Sequence, residues 1–457
     1  MINYSIKIKS LSNLLLYLLP ISLISGPALP DISISLVSLF FIYFSLKNKQ
    51  FQYSQFLILN IFFIWCLFLV TRSLFTNNIL FSLETSLFYF RFGVFVLAII
   101  FIIENNENFL KKFSLFICFS LFIVSFDGIF QFFFKFNLFG FSMPDLSNYR
   151  GRISGFFREE LIMGSYLSRL LPLSLGLLIY VFSNNKNIKT IIYFFTTIVS
   201  IAIFISGERS AFFYCILSNI IFLILFKKYK IQIFYSIITS IFVIYFLVQF
   251  NPYTQYRMFK FTIDQITNLS QQENYYISGE GEESKLVLNE KYDDSKFEIE
   301  RLRLFSSEYE NLFLKSIKIF SHNKLFGIGP KMFRKDCGKE LYDISNDKHF
   351  ELGCANHPHN LYLQILVETG IIGVLPIILF FFYICYLFFN IILSKIINKN
   401  HKYDDIKICM LVSVLISIWP FLPTGSFFNN WTSTINFLSL SFFCFFFYKK
   451  NNEIIIQ

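Results

Sequence analysis

Long apolar runs separated by short polar connections constrain this chain more than any other feature. A helix needs roughly 20 mostly apolar residues, with a range of about 17–25, to cross a bilayer. The runs lack the amphipathic period of a helix packed on a soluble core. Only 15% of the residues are charged, against about 25% in an average soluble domain. We therefore expect a membrane protein rather than a soluble one.

Twelve runs approach the length of a span, although several need flanking residues to complete it. The predicted spans are Leu11–Ser25, Ile32–Leu46, Phe56–Val70, Leu87–Ile103, Phe113–Phe134, Leu161–Phe182, Thr190–Ile205, Ala211–Phe226, Ile231–Phe250, Leu361–Leu393, Ile406–Phe421 and Trp431–Tyr448. The pattern predicts an all-α, polytopic membrane protein of about 12 transmembrane helices.

Lysines concentrate in alternate connections. They are Lys47 and Lys49, Lys111 and Lys112, Lys186 and Lys189, Lys227, Lys228 and Lys230, Lys395, Lys399 and Lys402, and Lys449 and Lys450. Cytoplasmic connections carry such an excess, so both termini are predicted to be cytoplasmic. The net charge of +10 does not indicate nucleic-acid binding, because these residues serve as topology signals and as contacts to anionic membrane lipids.

Arginines depart from this bias and occupy the opposite connections. They are Arg72, Arg150, Arg152, Arg158 and Arg209. Guanidinium is a preferred partner of phosphate, so this placement is a functional hint. The alternative is that each arginine reaches up to lipid headgroups.

One connection is much longer than the others. Residues 251–360 lie between the predicted helices 1–9 (residues 1–250) and helices 10–12 with a cytoplasmic tail (residues 361–457). The segment from about Glu298 to Lys335 has the period of an amphipathic helix. Cys337 and Cys354 also lie here, on the predicted outer, oxidising side, and favour a disulfide. A zinc site is disfavoured because the pair lacks C-x-x-C spacing.

The most informative stretch of the sequence stands where this loop enters the tenth predicted span, because several polar side chains gather at one helix entrance. His357 and His359 precede Asn360 and, two turns later, Glu368. A neutral imidazole can accept a proton from a hydroxyl, and Asn360 could orient the ring or a sugar. A carboxylate inside a span is costly unless it is paired or faces water. Structural hydrogen bonding is the alternative for the histidines. No metal-ligand spacing or nucleotide-binding loop is visible, so we expect no cofactor.

Several segments together resemble the O-antigen ligase and O-antigen polymerase family. The resemblance runs from the fifth to the eleventh predicted span, and the order of the motifs makes it specific. The motifs are Asp127-Gly128-Ile129-Phe130-Gln131, Arg152-Ile153-Ser154-Gly155-Phe156-Phe157 with Gly164-Ser165-Tyr166-Leu167, Ser206-Gly207-Glu208-Arg209-Ser210-Ala211, Leu325-Phe326-Gly327-Ile328-Gly329-Pro330, and His359-Asn360 with Tyr362-Leu363-Gln364 and Val367-Glu368-Thr369-Gly370-Ile371-Ile372-Gly373.

The resemblance implies the site residues. Arg152 and Arg209 would bind a diphosphate. His359, which stands next to the asparagine as in the family pattern, would be catalytic. Asn360 and Glu368 complete the predicted catalytic group. Possible support comes from His357, Asp127 and Arg303.

The resemblance also implies a function. The protein would be an inverting, metal-independent glycosyltransferase of the bacterial inner membrane, with residues 251–360 in the periplasm. Its donor would be a glycan on undecaprenyl diphosphate. A ligase would use lipid A-core as acceptor, whereas a polymerase would use another lipid-linked glycan. The motifs do not separate these two, although we favour the ligase. A transporter or flippase of lipid-linked oligosaccharides is the third alternative, but no two-half repeat is visible.

Overall fold

The computed structural model describes residues 2–48, 56–143, 152–260, 262–263, 275–278, 285–288, 305–344, 352–397 and 404–449. Helices dominate these residues. They are α1 (Ile2–Ser22), α2 (Ala28–Asn48), α3 (Leu57–Ser73), α4 (Ile79–Ser86), α5 (Arg91–Asn105), α6 (Phe109–Phe134), α7 (Met163–Phe182), α8 (Ile188–Ile205), α9 (Arg209–Leu225), α10 (Lys230–Phe250), α11 (Pro252–Gln255), α12 (Ser307–His322), α13 (Phe333–Asp336), α14 (Leu361–Ile397), α15 (Asp405–Ser417) and α16 (Asn430–Cys444). Strands β1 (Tyr275–Ser278) and β2 (Lys285–Leu288) form an antiparallel pair that the sequence did not predict.

Eight helices in the described ranges are long and apolar enough to cross a membrane. Three shorter apolar helices, at Lys9–Ser25, Leu57–Ser73 and Arg209–Leu225, coincide with further predicted spans. Helix α15 falls within the predicted eleventh span but has only 13 residues. The helical, multi-span character is thus confirmed, whereas the count of twelve stays a prediction.

Helix α7 forms the centre of the bundle and is buried along almost its whole length. Small residues allow close approach of its neighbours, as is usual between membrane helices. A Cβ at Gly176 would stand 2.8 Å from Cys409 of α15. Helix α14 is peripheral by contrast, with only 17% of its most apolar window buried. Most of the apolar surface of α14 therefore lies outside the packed bundle.

Helices α9 and α14 run in the same direction. Lys395, near the end of α14, donates a hydrogen bond to the carbonyl of Ile224 near the end of α9. Their first residues, Arg209 and Leu361, therefore lie towards the other face of the bundle. Phe213, one turn into α9, contacts Trp419, which follows α15. We call this end of the bundle the loop face.

The loop segment docks on the end of α3 at this face. The Arg72 guanidinium donates to the carbonyls of Phe326 at 3.0 Å and Gly327 at 2.7 Å. Cys337 and Cys354 are joined by a disulfide, with their Cα atoms 5.6 Å apart. This bond connects the region after α13 to the segment that carries the histidines.

Helix α14 is interrupted at Gly370, and the glycine-rich turn Lys324–Pro330 packs into the interruption. Gly370 has φ 67° and ψ −169°, a region that side chains rarely allow. A Cβ there would collide with the backbone of Leu325. The Ile328 amide donates to the Val367 carbonyl at 3.0 Å. Two motifs that are distant in sequence therefore form one unit, which we call the Gly370 junction.

Candidate functional site

Three arginines converge on the turn between α8 and α9. Gly207 in this turn has φ +71°, and a Cβ there would stand 3.3 Å from both Arg152 and Arg257. The Arg257 Nε donates to the Gly207 carbonyl at 2.8 Å. Arg209 is the first residue of α9, two positions further. We call Arg152, Arg209 and Arg257 the arginine cluster.

Arg257 reaches the cluster because the chain folds back after α10. Helix α11 and a π-helical turn at Tyr256–Lys260 follow α10 directly. The same return places the Thr262 hydroxyl 3.4 Å from Arg209 Nη1. We had not singled out Arg257 from the sequence. It nevertheless stands on the predicted arginine-bearing side, so the departure from the lysine bias could have revealed it.

A buried carboxylate accompanies the three cations. Glu208 accepts hydrogen bonds from the amides of Gly164 at 2.6 Å and Ser165 at 3.2 Å, and from the Ser165 hydroxyl at 2.7 Å. Burial raises the pKa of Glu208, while the charge of Arg152 and these hydrogen bonds oppose the rise. The three guanidiniums outnumber this one carboxyl group, so the cluster favours a ligand with more than one negative charge.

The segment carrying Arg152 is held by the end of α6. The Gly155 amide donates to Gln131 Oε1 at 2.7 Å, and the Leu138 amide donates to Asp127 Oδ1 at 2.8 Å. Asp127 therefore contacts the backbone of the connection that leads to Arg152. These contacts favour a supporting role for Asp127, as the sequence suggested.

Protein groups accept hydrogen bonds from only some of the nitrogen atoms of the Arg152 guanidinium. Its Nη2 donates to the Leu161 carbonyl at 2.7 Å. Its Nε is buried and has no hydrogen-bond partner within the described ranges. A guanidinium in this state retains donors for an anionic ligand.

The two histidines of the motif lie against each other. The ring centroids of His357 and His359 are 4.0 Å apart, and Tyr309 of α12 meets the His359 ring edge-on at 5.7 Å. His359 adopts φ +54°. Its carbonyl accepts a hydrogen bond of 2.8 Å from the Thr424 amide, which fixes this unusual conformation.

Burial keeps both imidazoles in the neutral form. It lowers the pKa of His359, against a hydrogen bond with the Thr424 backbone. Burial lowers the pKa of His357 to about 4, with further lowering from His359 and Arg334. The Nε2 atom of His357 is buried without a partner among the described residues. Neutral imidazoles of this kind can accept a proton near pH 7.

Asn360 has a structural task that the sequence analysis did not assign. Its Oδ1 accepts hydrogen bonds from the amides of Tyr362 at 3.0 Å and Leu363 at 3.1 Å, which caps the start of α14. Its Nδ2 donates to the Pro420 carbonyl at 2.8 Å. Asparagine is a preferred N-cap residue for this reason. These contacts favour positioning of the neighbouring His359 over contact with a sugar.

Glu368 belongs to the Gly370 junction. The side chain is fully buried, and Oε2 accepts a hydrogen bond of 2.9 Å from the Lys331 amide. Gln364, one turn earlier, has Nε2 3.5 Å from the same oxygen. These contacts tie α14 to the glycine-rich turn and favour a positioning role over a catalytic one.

The helix that begins with Arg209 and the connection that is hydrogen-bonded to Asn360 meet in one aromatic contact. The Phe213 and Trp419 rings are 5.9 Å apart. Trp419 precedes Pro420, which accepts the hydrogen bond from Asn360. Arg303, the last predicted supporting residue, lies outside the described residues. Among those described, no group of three or more His, Cys, Asp or Glu side chains could hold a metal ion.

Comparison with known proteins agrees with the motifs. The family model described as O-antigen ligase matches residues 192–378. This region includes the Gly207 turn, Arg257, the histidine segment and the Gly370 junction, but Arg152 and Asp127 precede it. No curated protein matches the chain. The resemblance to the O-antigen ligase family is thereby confirmed over residues 192–378 of the chain.

Proposed function

We propose that the protein transfers a glycan from undecaprenyl diphosphate to a hydroxyl of lipid A-core at the periplasmic face of the inner membrane. The family implies lipid-linked glycan substrates. The observation that carries the proposal is the contact between Phe213 and Trp419, which places the helix that begins with Arg209 against the connection that is hydrogen-bonded to Asn360, next to His359. A diphosphate and a nucleophilic hydroxyl need these two kinds of group side by side.

The proposed reaction is a single displacement. His359 takes the proton of the acceptor hydroxyl, whose oxygen forms a bond to the anomeric carbon of the donor. The bond between that carbon and the diphosphate oxygen breaks, and the diphosphate leaves with the electron pair. Arg152, Arg209 and Arg257 stabilise its negative charge. Because attack and departure occur on opposite faces, the configuration is inverted. No metal or cofactor takes part in this scheme.

The decisive test is transfer of a labelled glycan by the purified protein in detergent. We expect His359→Ala and Arg209→Ala to lower the rate by at least about 100-fold, the lower range for loss of an acid–base group. The exposed His322 and Arg158 provide matched controls, and their alanine variants should retain the parent rate. Parent-like transfer by folded His359→Ala and Arg209→Ala would show the assignment to be wrong.

Two experiments separate the alternatives. In a deletion strain, loss of all O-antigen from lipid A with retention of the lipid-linked polymer would indicate a ligase. Attachment of one repeat unit would indicate a polymerase. Transfer in detergent, without a sealed compartment, would exclude a protein that only transports lipid-linked glycans.

A further inference from the structure

A large apolar cavity lies under the histidine segment. Its volume is about 780 Å³, within the range of roughly 300–1,000 Å³ usual for ligand sites. Helices α3, α14, α15 and α16 supply its walls. Representative lining residues are Ile61, Trp65, Leu361, Leu375, Phe427 and Tyr448.

The cavity extends from the loop face deep into the bundle. Leu361 follows the capping Asn360 directly, so the upper wall begins beside the histidines. Asn436 and Tyr448, both in the wall, are about 18 Å apart along a helix that rises 1.5 Å per residue. At the far end, the hydroxyls of Tyr383 and Tyr448 are hydrogen-bonded at 2.7 Å. We call this elongated cavity the slot.

The chemistry of the lining selects a hydrocarbon. No residue that lines the cavity carries a formal charge, and most are aliphatic or aromatic. Such a lining receives a hydrocarbon chain from the bilayer without a desolvation penalty, because lipid tails are equally apolar. A charged headgroup would have no partner in the slot, so it must stay above, at the loop face.

The slot and the arginine cluster lie on opposite sides of the connection between α15 and α16. Ile418 lines the slot, whereas the next residue, Trp419, contacts Phe213 of α9 on the arginine side. The slot reaches Leu361, which directly follows His359 and Asn360, so a chain held in the slot keeps its glycan close to the proposed base.

We propose that the slot binds a hydrocarbon chain of the lipid-anchored acceptor while its glycan reaches the histidines. This inference rests on the proposed function, because it assumes that the arginine cluster holds the donor diphosphate. It assigns the acceptor a membrane-embedded site, separate from that of the donor headgroup.

Two tryptophan substitutions on α3 test the slot. Ile61 lines it, whereas Ile64 on the same helix does not and is 69% exposed. The probes are lipid A-core and its deacylated glycan. We expect Ile61→Trp to raise the KM for lipid A-core by about tenfold, because the larger ring occupies space that the chain would fill; this corresponds to about 1.4 kcal/mol. The KM for the deacylated glycan should not change, and Ile64→Trp should alter neither value.

Other outcomes overturn the inference. An equal rise in the KM for lipid A-core and for its deacylated glycan would show that Ile61→Trp does not act through the hydrocarbon chain. A rise only in the KM for the lipid-linked donor would assign the slot to the donor chain. An unchanged KM throughout would remove the slot from substrate binding.

A labelling experiment keeps this inference separate from the proposed function. Lipid A-core with a diazirine at the end of one acyl chain should label peptides of α3, α14 or α16, also in the His359→Ala variant. If the parent protein were labelled at these peptides but showed no transferase activity, the proposed reaction would be contradicted and the lipid site retained. Equal labelling by a diazirine phospholipid would show a site for bulk lipid and overturn the inference.

Discussion

The arginine cluster and the histidine segment both lie at the loop face, but the chain holds them there in different ways. The arginines surround a tight turn between two membrane helices, and the buried Glu208 beside them offsets part of their charge. The histidine segment is held by the Thr424 amide and by the Asn360 cap. The nearby Glu368 is instead engaged with the backbone of the glycine-rich turn.

The electrostatic surroundings differ accordingly. The charge of Arg152 opposes the rise that burial causes in the pKa of Glu208, so the cluster combines positive charge with one neighbouring carboxyl group. The charged neighbours that shift the pKa of His357 are cationic, namely Arg334 and a protonated His359. They favour the neutral imidazole. An anion site needs charge and a base needs a free lone pair, and each region provides the state that its proposed task requires.

Substitution of Gly370 should have the largest effect. Gly370→Ala forces a left-handed backbone on a side chain, at a cost of about 1–2 kcal/mol, and its Cβ meets the Leu325 backbone. Loss of the adjoining backbone hydrogen bonds adds about 1 kcal/mol each. We expect a fall of roughly 3 kcal/mol or more in the free energy of unfolding, seen as low yield and a lower Tm in detergent. A parent-like Tm would show that the junction does not hold the histidine side together.

Substitution of Gly207 should lower stability less than substitution of Gly370. Gly207 also has a left-handed backbone, with φ +71°, so an alanine there costs about 1–2 kcal/mol, as it does at Gly370. Its Cβ, however, meets only the side chains of Arg152 and Arg257, at 3.3 Å, and side chains can move more easily than backbone. We therefore expect Gly207→Ala to lower the Tm less than Gly370→Ala does, while transfer falls by about tenfold, which corresponds to roughly 1.4 kcal/mol. Equal losses of Tm in Gly207→Ala and Gly370→Ala would erase the contrast between the two regions.

The apolar runs predicted the membrane helices, because a helix that crosses the bilayer must be mostly apolar along its whole length. The sequence also indicated that Arg152, Arg209 and His359 lie on one side, because lysine and arginine follow different connections. The role of Glu368 could not be predicted. A carboxylate in a span suggests function, and its partner, the Lys331 amide, is supplied by a turn 37 residues earlier. Only the folded chain shows that contact.

Glu368 distinguishes support from catalysis. Glu368→Gln keeps an oxygen that can accept the Lys331 hydrogen bond, so we expect transfer within about threefold of the parent. Glu368→Leu leaves that buried amide without its acceptor and should destabilise the protein by about 1–3 kcal/mol. Steady-state transfer rates and Tm values of the two variants test both expectations. A folded Glu368→Gln protein without activity would restore Glu368 to the catalytic group.

The pH dependence should give the smallest and most specific effect. A base must be neutral, and burial lowers the pKa of His359 below its ordinary value of 6.5. The rate of transfer should therefore remain constant as the pH falls to 6.5 and decline only at lower pH.

The free energy of unfolding should also fall as the pH decreases. Between pH 6.5 and the lowered pKa of His357, about 4, the unfolded chain binds more protons, so stability falls as pH decreases. His357→Asn should reduce that slope without moving the rate profile far, because His359 remains the base. A rate profile with its midpoint at or above 6.5 would contradict a buried imidazole as the proton acceptor.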